Sequence, residues 1–510
     1  MNSNKKEKTI LLKKTGFMTM LLIVFSLSLH YGQEGLKWPN TPASEVFQDF
    51  IKAYNSGKEK KVENFVKKHY QKTDTEYVYN KVDTWMDYFY RFGEVAPHSI
   101  SINQPNDLEV WLQGKTSEAW FAVEFVLDKE RHKIKGTAVL QGALPDGLNL
   151  GSTDDDALLK KFKTYLKANE EKNLFQGTVL LQKGNEVLID EGYGYKNIDQ
   201  KIKNTKNTRI DFMSITKMFT AVACLQLVQQ GVLDLNATID KYLPELPEHI
   251  ASQITIETLL NHTSGYELDG IEGFREAQDK ATSIQEMYAL QLKYLPKWEH
   301  YQSFTPTGKY DYTNDSFDLA AVIIEKVTNM RFEDYLKKYI FDIAKMTYTS
   351  FERGGVAKSY RYYLSDKGLK EVSQFYPSGW ISAAGGLVGT TEDLRLFFNT
   401  LIKTNKLLDY THRNILFTPT VYESTASNVF MNNDFISIDS SELKAKNSYG
   451  LGTIISYDAQ LNIGHAGVRN GSCSELRYFP ESDYLLIVLA NNRNGAKNAY
   501  NFFKNSLPRE

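Results

Sequence analysis

The chain has 510 residues, more than one hydrophobic core usually organises, so we expect two folded domains. Its 42% apolar and 24% charged residues are typical of a globular protein and exclude a disordered or fibrous chain. A net charge of −2 gives no electrostatic reason to expect nucleic acid as a partner.

The N-terminus has the pattern of a secretory signal. Five lysines between Lys5 and Lys14 precede an apolar run from Phe17 to Leu29. This run is shorter than the about 20 apolar residues that a membrane-spanning helix needs. We therefore predict that residues 1–32 are a signal peptide and that the protein is periplasmic or secreted. Because no Ala-x-Ala cleavage site is present, an uncleaved anchor is the alternative and would be the one stable membrane span.

Residues 40–141 predict a small α+β domain. Helical spacing of apolar residues extends over Ser44–Tyr54, Lys58–Tyr70 and Tyr77–Phe92. Four segments with a period of two follow: Ser99–Asn103, Glu109–Gln113, Trp120–Leu127 and Lys133–Gln141. Helices followed by a run of strands are typical of an α+β unit. This order resembles the small cone-shaped domains of the nuclear-transport-factor-2-like superfamily.

A glycine-rich linker at residues 142–152 precedes a second predicted domain at residues 153–510. The segments Gly177–Gln182 and Val187–Glu191 predict a β-hairpin around a Lys-Gly-Asn turn. Three further strands are predicted near the C-terminus: Leu451–Tyr457, Ser474–Phe479 and Tyr484–Leu489. We therefore expect a sheet whose strands come from both ends of the domain.

The cysteines and histidines point to neither thiol nor metal chemistry. Cys224 and Cys473 each lie in an apolar stretch, which predicts two buried free thiols, with a disulfide as the alternative. The nine histidines show no His-Glu-x-x-His or His-x-His spacing, so we predict no metal and no cofactor.

Ser214 and Lys217 stand at the start of an apolar helix that continues to Gly231. At this spacing the hydroxyl and the amine lie on one face of the helix. Serine is a poor nucleophile unless a base takes its proton, and a lysine can be that base where burial lowers its pKa. The pattern alone is weak, because Ser-x-x-Lys also occurs at Ser3–Lys6 and Ser441–Lys444.

Two further motifs strengthen the prediction. Tyr312 and Asn314 precede an apolar helix, where a phenol can relay a proton and an amide can bind a substrate amide. The alternative is a turn tyrosine beside a capping asparagine. Gly464–Gly467 enters a strand near the C-terminus, where glycine permits close approach of a ligand and His465 can donate to or orient an acyl group.

In this order, Ser214–Lys217, Tyr312–Asn314 and His465–Gly467 resemble the three motifs of the β-lactamase-related serine hydrolases. That family includes class C β-lactamases, D-alanyl-D-alanine carboxypeptidases, D-aminopeptidases and carboxylesterases. Leu259–Gly265 and Ala384–Leu394 also fit, so the resemblance covers about residues 155–505. It implies an α/β two-domain chain whose C-terminal part has the penicillin-recognising fold, an antiparallel sheet flanked by helices plus a helical region.

The resemblance also implies roles for single residues. Ser214 forms the acyl-enzyme, while Lys217 and Tyr312 handle its proton. Substrate is bound by Asn314, His465, Gly467 and Val468, and the oxyanion site consists of the backbone N–H groups of Ser214 and Val468. For His262, in the Leu259–Gly265 stretch, we predict a packing role.

One departure from the family pattern affects the substrate. β-Lactamases have Lys-Thr-Gly where this chain has His465, Ala466 and Gly467, so a hydroxyl that would hold a substrate carboxylate is missing. Arg469 is a candidate to compensate by charge. We therefore expect a serine hydrolase acting on a small peptide, amide or ester substrate, with peptidase or esterase action ahead of efficient β-lactam hydrolysis. The alternatives are an acylating, non-turnover sensor of peptidoglycan fragments or β-lactams, and a protein whose first domain is the functional part.

Overall fold

The computed structural model describes residues 36–141, 143–268, 270–298, 309–363, 368–371, 382–422, 446–457, 460–469 and 471–508. The predicted signal segment 1–32 lies outside these residues, as do Gly142 of the predicted linker and the two other Ser-x-x-Lys copies, Ser3–Lys6 and Ser441–Lys444. Within the described part of the chain, no helix is long and apolar enough to cross a membrane.

The first unit is three helices packed on a four-stranded antiparallel sheet. Its elements are α1 (Pro42–Tyr54), α2 (Glu59–His69), α3 (Thr75–Phe92), β1 (Val95–Gln104), β2 (Asp107–Gly114), β3 (Trp120–Leu127) and β4 (Ile134–Gln141). The side chain of Asp74 caps α3 by accepting from the Tyr77 N–H. Phe50, Trp85 and Phe125 are buried in an aromatic core shared by helices and sheet. The α+β order is as predicted, and the resemblance to the nuclear-transport-factor-2-like superfamily stays a prediction.

The second unit contains one eight-stranded antiparallel sheet and several short strand pairs. Its strands are β5 (Gly177–Lys183), β6 (Glu186–Tyr193), β7 (Tyr195–Asn197), β8 (Ile202–Lys203), β9 (Ile210–Asp211), β10 (Tyr360–Tyr363), β11 (Gly368–Glu371), β12 (Val388–Gly389), β13 (Val421–Tyr422), β14 (Lys446–Tyr449), β15 (Ile454–Tyr457), β16 (Leu461–Arg469), β17 (Ser472–Phe479) and β18 (Tyr484–Ala490). The large sheet has the order β13-β14-β15-β16-β17-β18-β5-β6. Because β18 pairs with β5, with Ala490 opposite Gly177, the sheet joins both ends of the unit as predicted.

Helices surround this sheet. They are α4 (Asp155–Glu171), α5 (Thr216–Gln229), α6 (Glu248–Ala251), α7 (Ile256–Leu260), α8 (Phe274–Gln278), α9 (Ile284–Trp298), α10 (Asp315–Thr328), α11 (Phe332–Leu336), α12 (Asp342–Ala344), α13 (Thr391–Lys403), α14 (Tyr410–Phe417) and α15 (Gly495–Ser506). Short 3₁₀ turns lie at Met213–Ile215 and Ile239–Lys241, and a π-helical turn lies at Lys337–Phe341.

Both faces of the sheet are covered by other parts of the unit. Successive residues of β5 point to opposite sides of the sheet and enter two different cores. Val179 and Leu181 enter the core beneath α4 and α15. Leu180, between them, enters the larger core that includes α5. Helix α5 is buried along almost its whole length, as expected for the predicted apolar helix. Its start differs from the prediction, because Met213–Ile215 form a 3₁₀ turn and the α-helix begins at Thr216.

Candidate active site

A strained turn presents Ser214 at the start of the central helix. Met213 has a positive φ of 50°, a backbone conformation that a side chain with Cβ adopts rarely and at some cost in energy. The flanking Phe212 is held on both sides: its N–H donates to the Leu387 carbonyl at 2.9 Å and its carbonyl accepts from the Ser474 hydroxyl at 2.7 Å. These bonds maintain the turn, and Ser214 stays partly exposed while Met213 and Ile215 are buried.

Lys217 lies one turn further along and is fully buried. Its Nζ lies 3.3 Å from Ser214 Oγ, 2.7 Å from Asn314 Oδ1 and 2.9 Å from the Ala384 carbonyl oxygen. The amide oxygen and the carbonyl can only accept hydrogen bonds. In its neutral form the amine has two N–H donors and one lone pair, and with the donors directed to these two acceptors the lone pair is available to the Ser214 hydroxyl. This arrangement suits removal of the serine proton.

The tyrosine and asparagine of the second motif lie on the other side of Lys217. The Tyr312 ring centroid is 4.7 Å from Lys217 Nζ, and the side chain is 37% exposed, so it borders both the lysine and solvent. Thr313 between them is buried, and its hydroxyl donates to the Tyr266 carbonyl at 2.8 Å. Because Asn314 gives its oxygen to Lys217, its amide N–H₂ group is the part that can donate to a substrate carbonyl.

The third motif lies on β16, against the Ser214 turn. Within the described residues β16 pairs with β15 from Leu461 to Gly464 and with β17 from Ile463 to Arg469, so from His465 onward β17 is its one partner strand. Backbone groups on the unpaired edge of that segment can therefore meet a ligand. A Cβ on Gly467 would stand 2.3 Å from Met213 Cβ, so only glycine permits this approach. Val468 is 56% exposed, and its N–H stays a predicted oxyanion donor.

His465 is arranged differently from the expected substrate-binding residue. The side chain is buried, Nε2 lies 2.8 Å from the Tyr449 hydroxyl, and Nδ1 lies 2.5 Å from the Ala466 carbonyl oxygen. Both ring nitrogens therefore have partners inside the protein, and neither is directed to a substrate. Burial, with the nearby Lys217 second, lowers the pKa of His465 to about 3, so the ring is neutral.

Sequence reasoning missed a buried carboxylate near the lysine. Asp318, in α10, accepts from the Ala383 N–H at 2.8 Å and from the Ser382 hydroxyl at 3.1 Å. It thereby fixes the segment whose Ala384 carbonyl accepts from Lys217. Burial raises the pKa of Asp318 to about 6. The sequence signal that could have identified Asp318 was an acidic residue within an otherwise apolar helix.

The structure thus brings together Ser214, Lys217, Tyr312, Asn314 and Gly467, although up to 253 residues of chain separate them. Among the residues that the structure describes, no group of three His, Cys, Asp or Glu side chains is arranged to hold a metal ion. Cys224 and Cys473 are buried free thiols, which confirms that prediction.

An eight-stranded antiparallel sheet covered by helices, with a Ser-x-x-Lys pair at the start of the central helix, defines the penicillin-recognising class of fold. The chain belongs to the Beta-lactamase family, whose sequence model matches residues 162–503.

Relatives support this assignment. The chain is 26% identical over 342 residues to Protein flp of Staphylococcus aureus (strain COL), a match that covers 65% of this chain and 63% of that protein. The matched part is therefore less than two thirds of this relative's length. Among solved structures, the octameric penicillin-binding protein homologue from Pyrococcus abyssi aligns with a TM-score of 0.56 at 23% identity, covering 68% of this chain and 76% of that one. The D-amino acid amidase from Ochrobactrum anthropi SV3, complexed with D-phenylalanine, aligns with a TM-score of 0.55 at 21% identity. This match covers 69% of this chain and 98% of that one. At these identities the two structures show a shared fold.

Proposed function

We propose that this protein is a serine hydrolase that forms an acyl-enzyme at Ser214 on an amide or ester substrate, such as a D-amino-acid peptide or a carboxylic ester. The observation that carries the proposal is the position of Lys217 Nζ, 3.3 Å from Ser214 Oγ and held by two groups that only accept hydrogen bonds. A buried amine oriented in this way is the base that a serine nucleophile requires.

The contacts support the following reaction. Lys217 takes the Ser214 proton while Oγ bonds to the substrate carbonyl carbon and the carbonyl π electrons move to oxygen. Backbone N–H groups of Ser214 and Val468 stabilise that oxyanion. The carbonyl re-forms as the amine or alcohol leaves with a proton passed from Lys217, with Tyr312 on the path. Water then attacks the ester of Ser214, releasing the acid and restoring the serine hydroxyl.

The third motif favours amides and esters over β-lactams. Ala466 stands where a β-lactamase has threonine, and it offers no hydroxyl to a substrate carboxylate. The buried His465, with both ring nitrogens occupied, does not replace that donor. Substrates that need no carboxylate clamp therefore fit this site best.

A substrate panel tests the proposal. It contains p-nitrophenyl acetate, D-phenylalanine p-nitroanilide, a D-Ala-D-Ala peptide and nitrocefin, each assayed with wild type and Ser214→Ala. We expect turnover of the ester or the D-amino-acid anilide, slower loss of nitrocefin, and a decrease of about a thousandfold or more in Ser214→Ala. Ser482→Ala is the matched control, because Ser482 lies in the turn between β17 and β18, where its hydroxyl donates to Gln460 Oε1, whereas the end of β17 near the Ser214 turn is the one with Ser474. Turnover that survives in Ser214→Ala contradicts the proposal.

The same panel separates a hydrolase from the acylating sensor. A hydrolase releases product through many cycles, whereas a sensor releases one equivalent of leaving group and keeps the acyl group. A single burst without further turnover would therefore favour the sensor.

We also propose that the protein is exported and that residues 40–141 form a domain separate from the hydrolase unit. The lysines and apolar run before residue 32 support export, and the separate hydrophobic core supports a domain of its own. Cell fractionation with N-terminal sequencing of the exported product tests the first point. Expression and activity of residues 143–510 test the second.

A further inference from the structure

A line of three buried side chains connects two of the active-site motifs. His262 follows α7, Tyr449 is the last residue of β14, and His465 lies in β16. Each is at most 1% exposed. His262 Nε2 lies 3.2 Å from the Tyr449 hydroxyl, and that hydroxyl lies 2.8 Å from His465 Nε2. We call these three residues the His–Tyr–His bridge.

The two ends of the bridge fix the direction of every hydrogen bond in it. At one end the Thr313 backbone N–H, which can only donate, points to His262 Nδ1 at 3.2 Å. His262 therefore carries its proton on Nε2 and donates to Tyr449. At the other end the Ala466 carbonyl can only accept, so His465 carries its proton on Nδ1. Its Nε2 is then an acceptor, and the Tyr449 hydroxyl donates to it.

Both ends impose the same direction, so the bridge has one satisfied arrangement in which both rings are neutral and hold opposite tautomers. A second proton on His262 would oppose the Thr313 N–H, and one on His465 would oppose the Tyr449 hydroxyl. Positive charge near the rings acts in the same sense: that of Arg477 near His465, and that of Lys217 near both rings whenever the lysine holds the serine proton. Burial, with Lys217 second, also holds the pKa of His262 well below its ordinary value.

The bridge contacts Tyr312 at one end and lies close to the Ser214 turn at the other. The His262 ring lies 4.2 Å from the Tyr312 ring, and the His262 carbonyl accepts from the Asp311 N–H at 2.8 Å. The segment that carries Asp311 and Tyr312, called here the Tyr312 loop, therefore packs against His262. At the other end His465 lies two residues before Gly467, which packs against Met213.

We propose that Tyr449 is a positioning residue for the acyl-transfer reaction, and that through the His–Tyr–His bridge it holds the Tyr312 loop and strand β16 at the distance that the Ser214–Lys217 pair requires. This inference rests on the proposed function for its kinetic part. Its structural part, two neutral histidines in opposite tautomers, is independent of any substrate.

Tyr449→Phe removes one oxygen and breaks the bridge in the middle. Tyr335→Phe is the matched control, because Tyr335 is equally buried and its hydroxyl makes one hydrogen bond, to Gln226 Oε1, within the core. We expect kcat of Tyr449→Phe to fall about 10- to 100-fold, since small displacements of reacting groups have effects of that size, with KM nearly unchanged. Tyr335→Phe should keep wild-type kcat. Equal kcat in the two variants overturns the positioning role.

A second pair of variants keeps the test decisive if Tyr449→Phe fails to fold. His465→Gln retains an amide oxygen that can accept from Tyr449, whereas His465→Leu has no acceptor. We expect His465→Gln to keep more of the wild-type kcat than His465→Leu. If the two variants have the same activity, hydrogen bonding through the bridge is unimportant.

Nitrogen NMR of the ¹⁵N-histidine-labelled full chain measures the tautomer and the titration of the two histidine rings without a substrate. We expect one non-titrating ring in the Nε2–H form, lost in His262→Gln, and one in the Nδ1–H form, lost in His465→Gln. Titration of either ring between about pH 6 and 7, as in a free imidazole, or the same tautomer in both, overturns the bridge. If wild type processes no probe of the panel, the proposed function fails while this measurement still decides the inference.

Discussion

Replacing Asp318 by asparagine is expected to stabilise the folded protein at neutral pH and to have a smaller effect in acid. The carboxyl is fully buried, and its pKa is raised from 3.8 to about 6, with burial as the main cause. When folding raises the pKa of a carboxyl, its protonated form contributes to the stability of the folded state. This contribution is fully present below the unfolded pKa and is lost as the pH rises through the folded pKa.

The two pKa values give the size of the effect. A shift from 3.8 to about 6 is equivalent to about 3 kcal/mol of folding free energy once the carboxyl is ionised in both states. At pH 4.5 the same relation gives a loss of about 1 kcal/mol of folding free energy, because the carboxyl is still mostly protonated in the folded state. Asparagine has nearly the same shape, stays neutral, and keeps an oxygen for the Ala383 N–H and the Ser382 hydroxyl. Its stability advantage over wild type should therefore grow by about 2 kcal/mol between pH 4.5 and pH 7.5.

Urea unfolding of wild type and Asp318→Asn at the two pH values measures this difference. Asp155→Asn is the control of opposite sign, because hydrogen bonds from Lys183 and Tyr484 lower the pKa of Asp155. That substitution should destabilise the protein at pH 7.5. A stability difference between wild type and Asp318→Asn that is the same at both pH values would refute the reasoning.

Three further predictions concern the candidate active site and the two thiols. Gly467→Ala should lower kcat/KM about 10- to 100-fold with the fold intact by circular dichroism, because the added Cβ would stand 2.3 Å from Met213 Cβ; unchanged activity would contradict the close approach. Cys224 and Cys473 should be inert to a thiol reagent in the native protein and both react in urea without reductant, whereas no reaction in urea would indicate a disulfide. Arg469→Ala should lower activity on acidic acyl substrates more than on neutral ones, and an equal effect on both would exclude a carboxylate-binding role.

Much of the fold follows from local patterns in the sequence. The predicted strand Trp120–Leu127 is found with the same ends, because its aromatic and β-branched residues favour extended structure locally. The approach of Ser214 and Lys217 was also predictable, since residues three apart on a helix share a face. The positive φ of Met213 was not, because nothing in a methionine favours it and the Phe212 hydrogen bonds that maintain it come from Leu387 and Ser474.

Residues that position the candidate active site are harder to predict from the sequence than the residues of its motifs. Tyr449 follows His262 by 187 residues, and its contact with His465 exists because β14 and β16 flank the same strand. His465 was expected to face a substrate because its motif was assigned to the same site as Ser214, but the Tyr449 hydroxyl takes up its Nε2. Both cases depend on side-chain direction in the folded sheet, which the sequence pattern of a short strand does not specify.

Trapping the acyl-enzyme tests the central claim most directly. Wild type and Ser214→Ala are incubated with an activated D-phenylalanyl ester, quenched in acid, digested and analysed by mass spectrometry. We predict one acyl group per chain, on the peptide that contains Ser214, and no adduct in Ser214→Ala. An adduct located on another residue, or one that persists in Ser214→Ala, would contradict the account.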